Sequence, residues 1–77
     1  MKFSYDSKAD AIYITVSNNR YNHGKDIDEE RRIDYDATGN VIGIELLCVS
    51  TGVITDDLPY RAEVESYLEE KGIKIFA

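Results

Sequence analysis

Four oxygen-bearing side chains stand where a calcium loop would place its ligands. Asp34, Asp36, Thr38 and Glu45 occupy positions one, three, five and twelve of a run that carries Gly39 at position six. A calcium loop offers oxygens from those positions, ends on a bidentate Glu and needs glycine for its sharp turn. It also hangs between two helices, and here the residues on both sides alternate apolar and polar, as strands do. Asp-Ala-Thr-Gly-Asn between two strands is ordinary hairpin chemistry, with Gly39 supplying a positive φ, so the segment reads as a turn.

A second grouping is Asp6, Asp10, Asp34 and Glu45. Paired carboxylates are what a metal-assisted hydrolase or a general acid and base require. None has a histidine beside it to complete a ligand set, and the plainer reading is that Asp6 and Asp10 brace a turn while Asp34 and Glu45 lie on a solvated face. No metal or other cofactor is expected. His23 sits in the flexible-looking Asn22-His23-Gly24, and Cys48 falls in phase with Ile42, Ile44 and Leu46, which points to a buried, inert thiol and not to a Cys-His nucleophile.

The elements that must hold these residues follow from periodicity. Lys2 to Tyr5 reads as a first strand, and Asp6 to Asp10 as a turn in which Asp and Ser side chains bond their own backbone. Ala11 to Val16 is a second strand, with Ile12, Ile14 and Val16 on one face, and Ser17 to Lys25 is a polar loop. Ile27 to Tyr35 reads as one strand with Ile27, Ile33 and Tyr35 on one face and Asp28, Glu30, Arg32 and Asp34 on the other. Val41 to Val49 is the most apolar strand, and Gly43 within it points to a bulge or a close backbone approach. Thr51 to Asp57 is an irregular crossing. Pro59 opens a helix running to about Lys71, with Tyr60, Val64, Tyr67 and Leu68 at helical spacing and Gly72 as its left-handed cap. Ile73 to Phe76 extends beyond it as a last edge strand. The expectation is an α+β fold: a small antiparallel β-meander of four or five strands covered by one C-terminal helix.

Size and composition restrict the function classes. Seventy-seven residues make a single domain, 1–77, with a thin core, since a chain this short buries only about 60% of its unfolded surface. A partner or a homodimer would add stability. Nine Ile, five Val and six Tyr favour a pleated surface. Fifteen acidic against nine basic residues give a net charge of −6, which argues against direct nucleic-acid binding and favours a basic protein as partner. There is no apolar run for a membrane span, an acidic residue comes too early for a signal peptide, and a lone cysteine agrees with a reducing compartment, so the expected location is cytoplasmic.

Charge is unevenly spread. Between Asp56 and Glu70 six acids face one base, Arg61. Asp56 and Asp57 complement the positive end of the helix, but Glu69 and Glu70 sit at its negative end, and Glu65 lies four residues before Glu69. Local rules broken without visible gain point to use elsewhere, which makes Glu65, Glu69 and Glu70 the candidate partner-binding residues.

Tyr5-Asp6, Ala9-Asp10-Ala11-Ile12-Tyr13-Ile14, Asp34-Tyr35-Asp36, Gly39, Gly43-Ile44-Glu45 and Ser50 together resemble the domain-of-unknown-function family numbered 2283. The likeness covers roughly residues 3–50. It implies a compact β-rich fold of bacteria, archaea and their phages with no established catalytic activity, and, through members placed beside presumed toxin genes, an antitoxin-like binding role. Residues after Ser50 inherit nothing from it. Two function classes are therefore carried forward: a non-catalytic binding module for a basic protein, and a small metal-dependent enzyme built on the Asp and Glu cluster.

Overall fold

The computed structural model of the chain describes residues 1–76. Five antiparallel strands form one sheet: β1 (Lys2–Asp6), β2 (Ala11–Thr15), β3 (His23–Asp26), β4 (Arg31–Tyr35) and β5 (Val41–Leu47), in the order β1-β2-β5-β4-β3. A helix, α1 (Arg61–Glu70), covers one face through Val64 and Leu68, which gives the expected α+β fold. β5 takes the centre because its alternate residues Ile42, Ile44 and Leu46 are all buried. β3, His-Gly-Lys-Asp, has no apolar side chain to bury and lies at an edge. The β1–β2 hairpin therefore joins the β3-β4-β5 meander through β2 and β5, with Ile14 opposite Ile44.

Ile12, Ile14, Ile44 and Leu46 from the sheet meet Val64 and Leu68 from the helix and Val49, Val53 and Leu58 from the segment between them. Phe3 of β1 stacks on Tyr67 of the helix, ring centroids 4.3 Å apart. The helix stops as its sequence requires: Gly72, at φ 70°, takes the left-handed position, its N–H bonds Glu69 O and Ile73 N–H bonds Leu68 O. Among the described residues no helix is long and apolar enough to cross a membrane.

Four expectations are corrected. Ile27 to Tyr35 is not one strand. Asp28 accepts the Glu30 N–H and the Arg31 guanidinium, and Ile27 N–H bonds Arg31 O, so this stretch closes a hairpin and places Asp28 and Glu30 in its tight turn. Backbone pairing then recruits His23–Asp26, read from sequence as loop, as the partner strand. Cys48 is exposed, because the chain leaves the sheet there at φ 55° and drops Val49 into the core in its place. The helix starts at Arg61, and Tyr60 is its left-handed N-cap, 44% exposed, instead of an apolar contact. Finally, β7 (Ile75–Phe76) does not edge the main sheet. It pairs in parallel with β6 (Val53–Ile54), inside the crossing read as irregular. Arg31 ties this second sheet to the first by donating to the carbonyls of Ile54 (3.0 Å) and Asp56 (2.6 Å).

Candidate functional site

The sheet face turned away from the helix carries polar side chains of all five strands. Register places Ser4, Tyr13, Glu45, Arg32 and Asp26 in one cross-strand row, and Lys2, Thr15, Gly43, Asp34 and Gly24 in the next. The two glycines make the second row hollow, and long side chains from the first lie down in it. Tyr13 crosses Gly43 and donates its hydroxyl to Asp34 Oδ2 at 2.8 Å. Arg32 crosses Gly24 and donates to Tyr21 Oη (3.2 Å), Asp26 Oδ1 (3.0 Å) and Asp34 Oδ1 (3.3 Å). Burial, and then the bond to Asp34, push the Tyr13 phenol up to about 12. Tyr21 and Asp26 hold the Arg32 charge more firmly still. Each oxygen of Asp34 accepts a hydrogen bond, from Tyr13 or from Arg32, so this carboxylate braces the face.

Asp6 and Asp10 lie elsewhere. Asp6 Oδ1 accepts the N–H groups of Lys8 (3.0 Å) and Ala9 (3.1 Å) and shapes the β1–β2 turn. Asp10, at φ 54°, reaches forty residues along the chain: its carboxylate accepts Ser50 N–H (2.9 Å) and the Ser50 hydroxyl (2.6 Å), and its carbonyl accepts Val49 N–H (3.1 Å). The four carboxylates thus divide between a hairpin latch and the open face. Among the described residues no three His, Cys, Asp or Glu side chains gather to hold a metal ion.

The calcium-like spacing resolves into a hairpin turn. Asp36 is 7% exposed and accepts from Thr38 N–H and hydroxyl, Asn40 N–H and side-chain amide, and the Asn19 amide. These bonds, that of the Asn40 N–H foremost, hold its carboxyl well below the usual carboxylate range. His23 and Cys48 are at opposite ends of β5: His23 pairs with Tyr35, which faces Val41, whereas Cys48 follows Leu47. Glu30 pushes the Cys48 thiol up, away from the reactive thiolate.

On the helix the three candidate acids part company. Glu65 Oε2 accepts the hydroxyl of buried Thr55 (2.5 Å) and Arg61 Nε (3.1 Å), and these bonds lower its carboxyl. Glu69 and Glu70 are exposed with Glu63, and no basic residue stands in the last turn. Thr55 was silent in the sequence, since nothing there sets a threonine of the crossing against Glu65. The motif spacings did carry Tyr13 and Asp34, but not the glycine hollows that bring them together.

No curated protein and no solved structure matches the chain. One family does, over residues 2–50, the stretch that ends on the Ser50 latch. Within that stretch lie residues that brace turns and strands: Asp10 with Ser50, Tyr13 with Asp34 over Gly43, and Asp36 within its own turn. With that stretch covering more than half of its 77 residues, the chain belongs to the family described as Protein of unknown function (DUF2283).

Proposed function

We propose that this protein is a non-catalytic binding module of the cytoplasm, antitoxin-like in role, whose partner is a basic protein of the kind that needs positive charge to engage RNA. One observation carries the reading: α1 ends on two exposed carboxylates, Glu69 and Glu70, at its negative pole, with no base in the last turn. Glu63 and Glu70 are a heptad apart and Glu69 flanks them, around the small residues Ala62 and Ser66. A shallow surface ringed by acids suits a flat basic patch, and charge of this kind chiefly speeds and focuses encounter. Glu65, held by Thr55 and Arg61, ties the helix to the crossing before it, while Glu69 and Glu70 supply the exposed charge.

The test is co-expression with the products of the adjacent genes, followed by association kinetics on whichever basic protein copurifies. Glu69→Lys with Glu70→Lys should slow association and flatten its dependence on salt. A double variant that associates at the parental rate with the parental salt dependence removes the helix from the function.

A further inference from the structure

β1 is an edge of the main sheet, bonded to β2 on one side only. Its five residues, Lys2-Phe3-Ser4-Tyr5-Asp6, complement their own reverse: cation, aromatic, small, aromatic, anion. We propose that β1 is the interface for a second copy of this chain, the two strands pairing antiparallel about a two-fold axis at Ser4 to make one ten-stranded sheet.

The chemistry of each opposed pair argues for this occupant. With Ser4 facing Ser4, Lys2 faces Asp6 of the second copy, twice, and Phe3 faces Tyr5, twice. Pairs directly opposite on neighbouring strands stand about 4.5–5.5 Å apart, and unlike charges and aromatic pairs there are favourable. Both charges are available. Among the described residues Lys2 has no acidic partner, and Asp6 uses Oδ1 for the Lys8 and Ala9 N–H groups while Oδ2 accepts nothing. On the helix side, Tyr5 is 41% exposed next to the Phe3–Tyr67 stack. A second copy would lay its own Tyr5 against that stack and cover an apolar surface that the single chain leaves wet. The interface is isologous, so it closes on two copies and does not propagate. The opposite edge, β3, offers no aliphatic side chain to bury. The interface reaches α1 at Tyr67, and its test, self-association of the purified protein, does not depend on the proposed partner.

Sedimentation velocity across a concentration series should show a monomer–dimer equilibrium. Ser4→Lys sets two ammonium groups opposite each other on the axis, and Lys2→Glu sets an acid against Asp6. Each should raise the dimer dissociation constant at least tenfold with an unchanged circular-dichroism spectrum. Position is read directly in a Cys48→Ser background. Ser4→Cys should cross-link to itself on mild oxidation, because the axis brings its two copies within disulfide reach. Lys2→Cys should not, because its copies stand roughly 13 Å apart along the strands. A parent protein that stays monomeric at about 100 µM, a dimer indifferent to Ser4→Lys, or equal cross-linking from both cysteine positions overturns the proposal.

Discussion

The phenol of Tyr13 fills the space that a side chain on Gly43 would need. Strand β2 can therefore send its tyrosine across β5 to Asp34 on β4 only because β5 carries a glycine between them. Gly43→Ala forces the ring off Asp34 and should destabilise the fold by about 1–3 kcal/mol, the usual range for overpacking. In a Tyr13→Ala background the same substitution should cost far less. The coupling between the two sites, measured by urea unfolding, should reach about 1 kcal/mol or more.

The same tyrosine gives the fold an alkaline limit. Its folded pKa, about 12, lies above the value near 10 of an unfolded tyrosine. The resulting stability is fully present below pH 10 and is lost as pH climbs from 10 towards 12. Spectrophotometric titration should show one of the six tyrosines ionising late. Asp34→Ala should bring it down only in part, because burial is the larger cause.

Asp36 sets the acid limit with the opposite sign. Its folded carboxyl is depressed by the hydrogen bonds of its own turn. The stability it contributes is present above the unfolded value, roughly 3.9, and declines as pH falls below it. The Tm of Asp36→Ala should lie below that of the parent at pH 7, and the gap should narrow below pH 4.

Leu46, next to the last residue of β5, is 1% exposed. Leu46→Ala should cost about 2–4 kcal/mol, as for other core leucines. A loss under about 1 kcal/mol in denaturant would place Leu46 outside the core.

If Glu69 and Glu70 serve a partner, the free protein bears their repulsion with the negative helix end. Glu69→Lys with Glu70→Lys should leave thermal stability unchanged or raise it by about a few tenths of a kcal/mol. A clear drop in Tm would mean that these acids hold the fold together.

The strands were legible wherever alternation meets burial: Ile12 and Ile14, then Ile42, Ile44 and Leu46, follow a period of two and are buried. Val64, Leu68 and Gly72 fixed the helix by the same logic at its own period. The errors have one source, which is backbone structure unaccompanied by side-chain pattern. His23–Asp26 pairs through main chain alone, Asp28 breaks an apparent strand by bonding its neighbours, and Cys48 takes a left-handed conformation that no alternation announces. Asp10 and Asp34 stand out in the sequence by type alone, but a partner of each lies far along the chain. Ser50 is forty residues from Asp10, and a linear reading holds no measure of that distance.

Placing β2 beside β5 also sets the order in which the molecule can fold. Within β3-β4-β5 each strand is followed closely by its neighbour, so that meander can close over short loops. Ile14 meets Ile44, thirty positions along the chain, only after the residues between them have been drawn in. The central ladder should thus close late, and β6 with β7, whose paired residues Val53 and Ile75 are twenty-two positions apart across the helix, later still. Folding speed should accordingly depend on the joint between the two halves, with substitutions in β2 slowing refolding more than equally destabilising ones in β3.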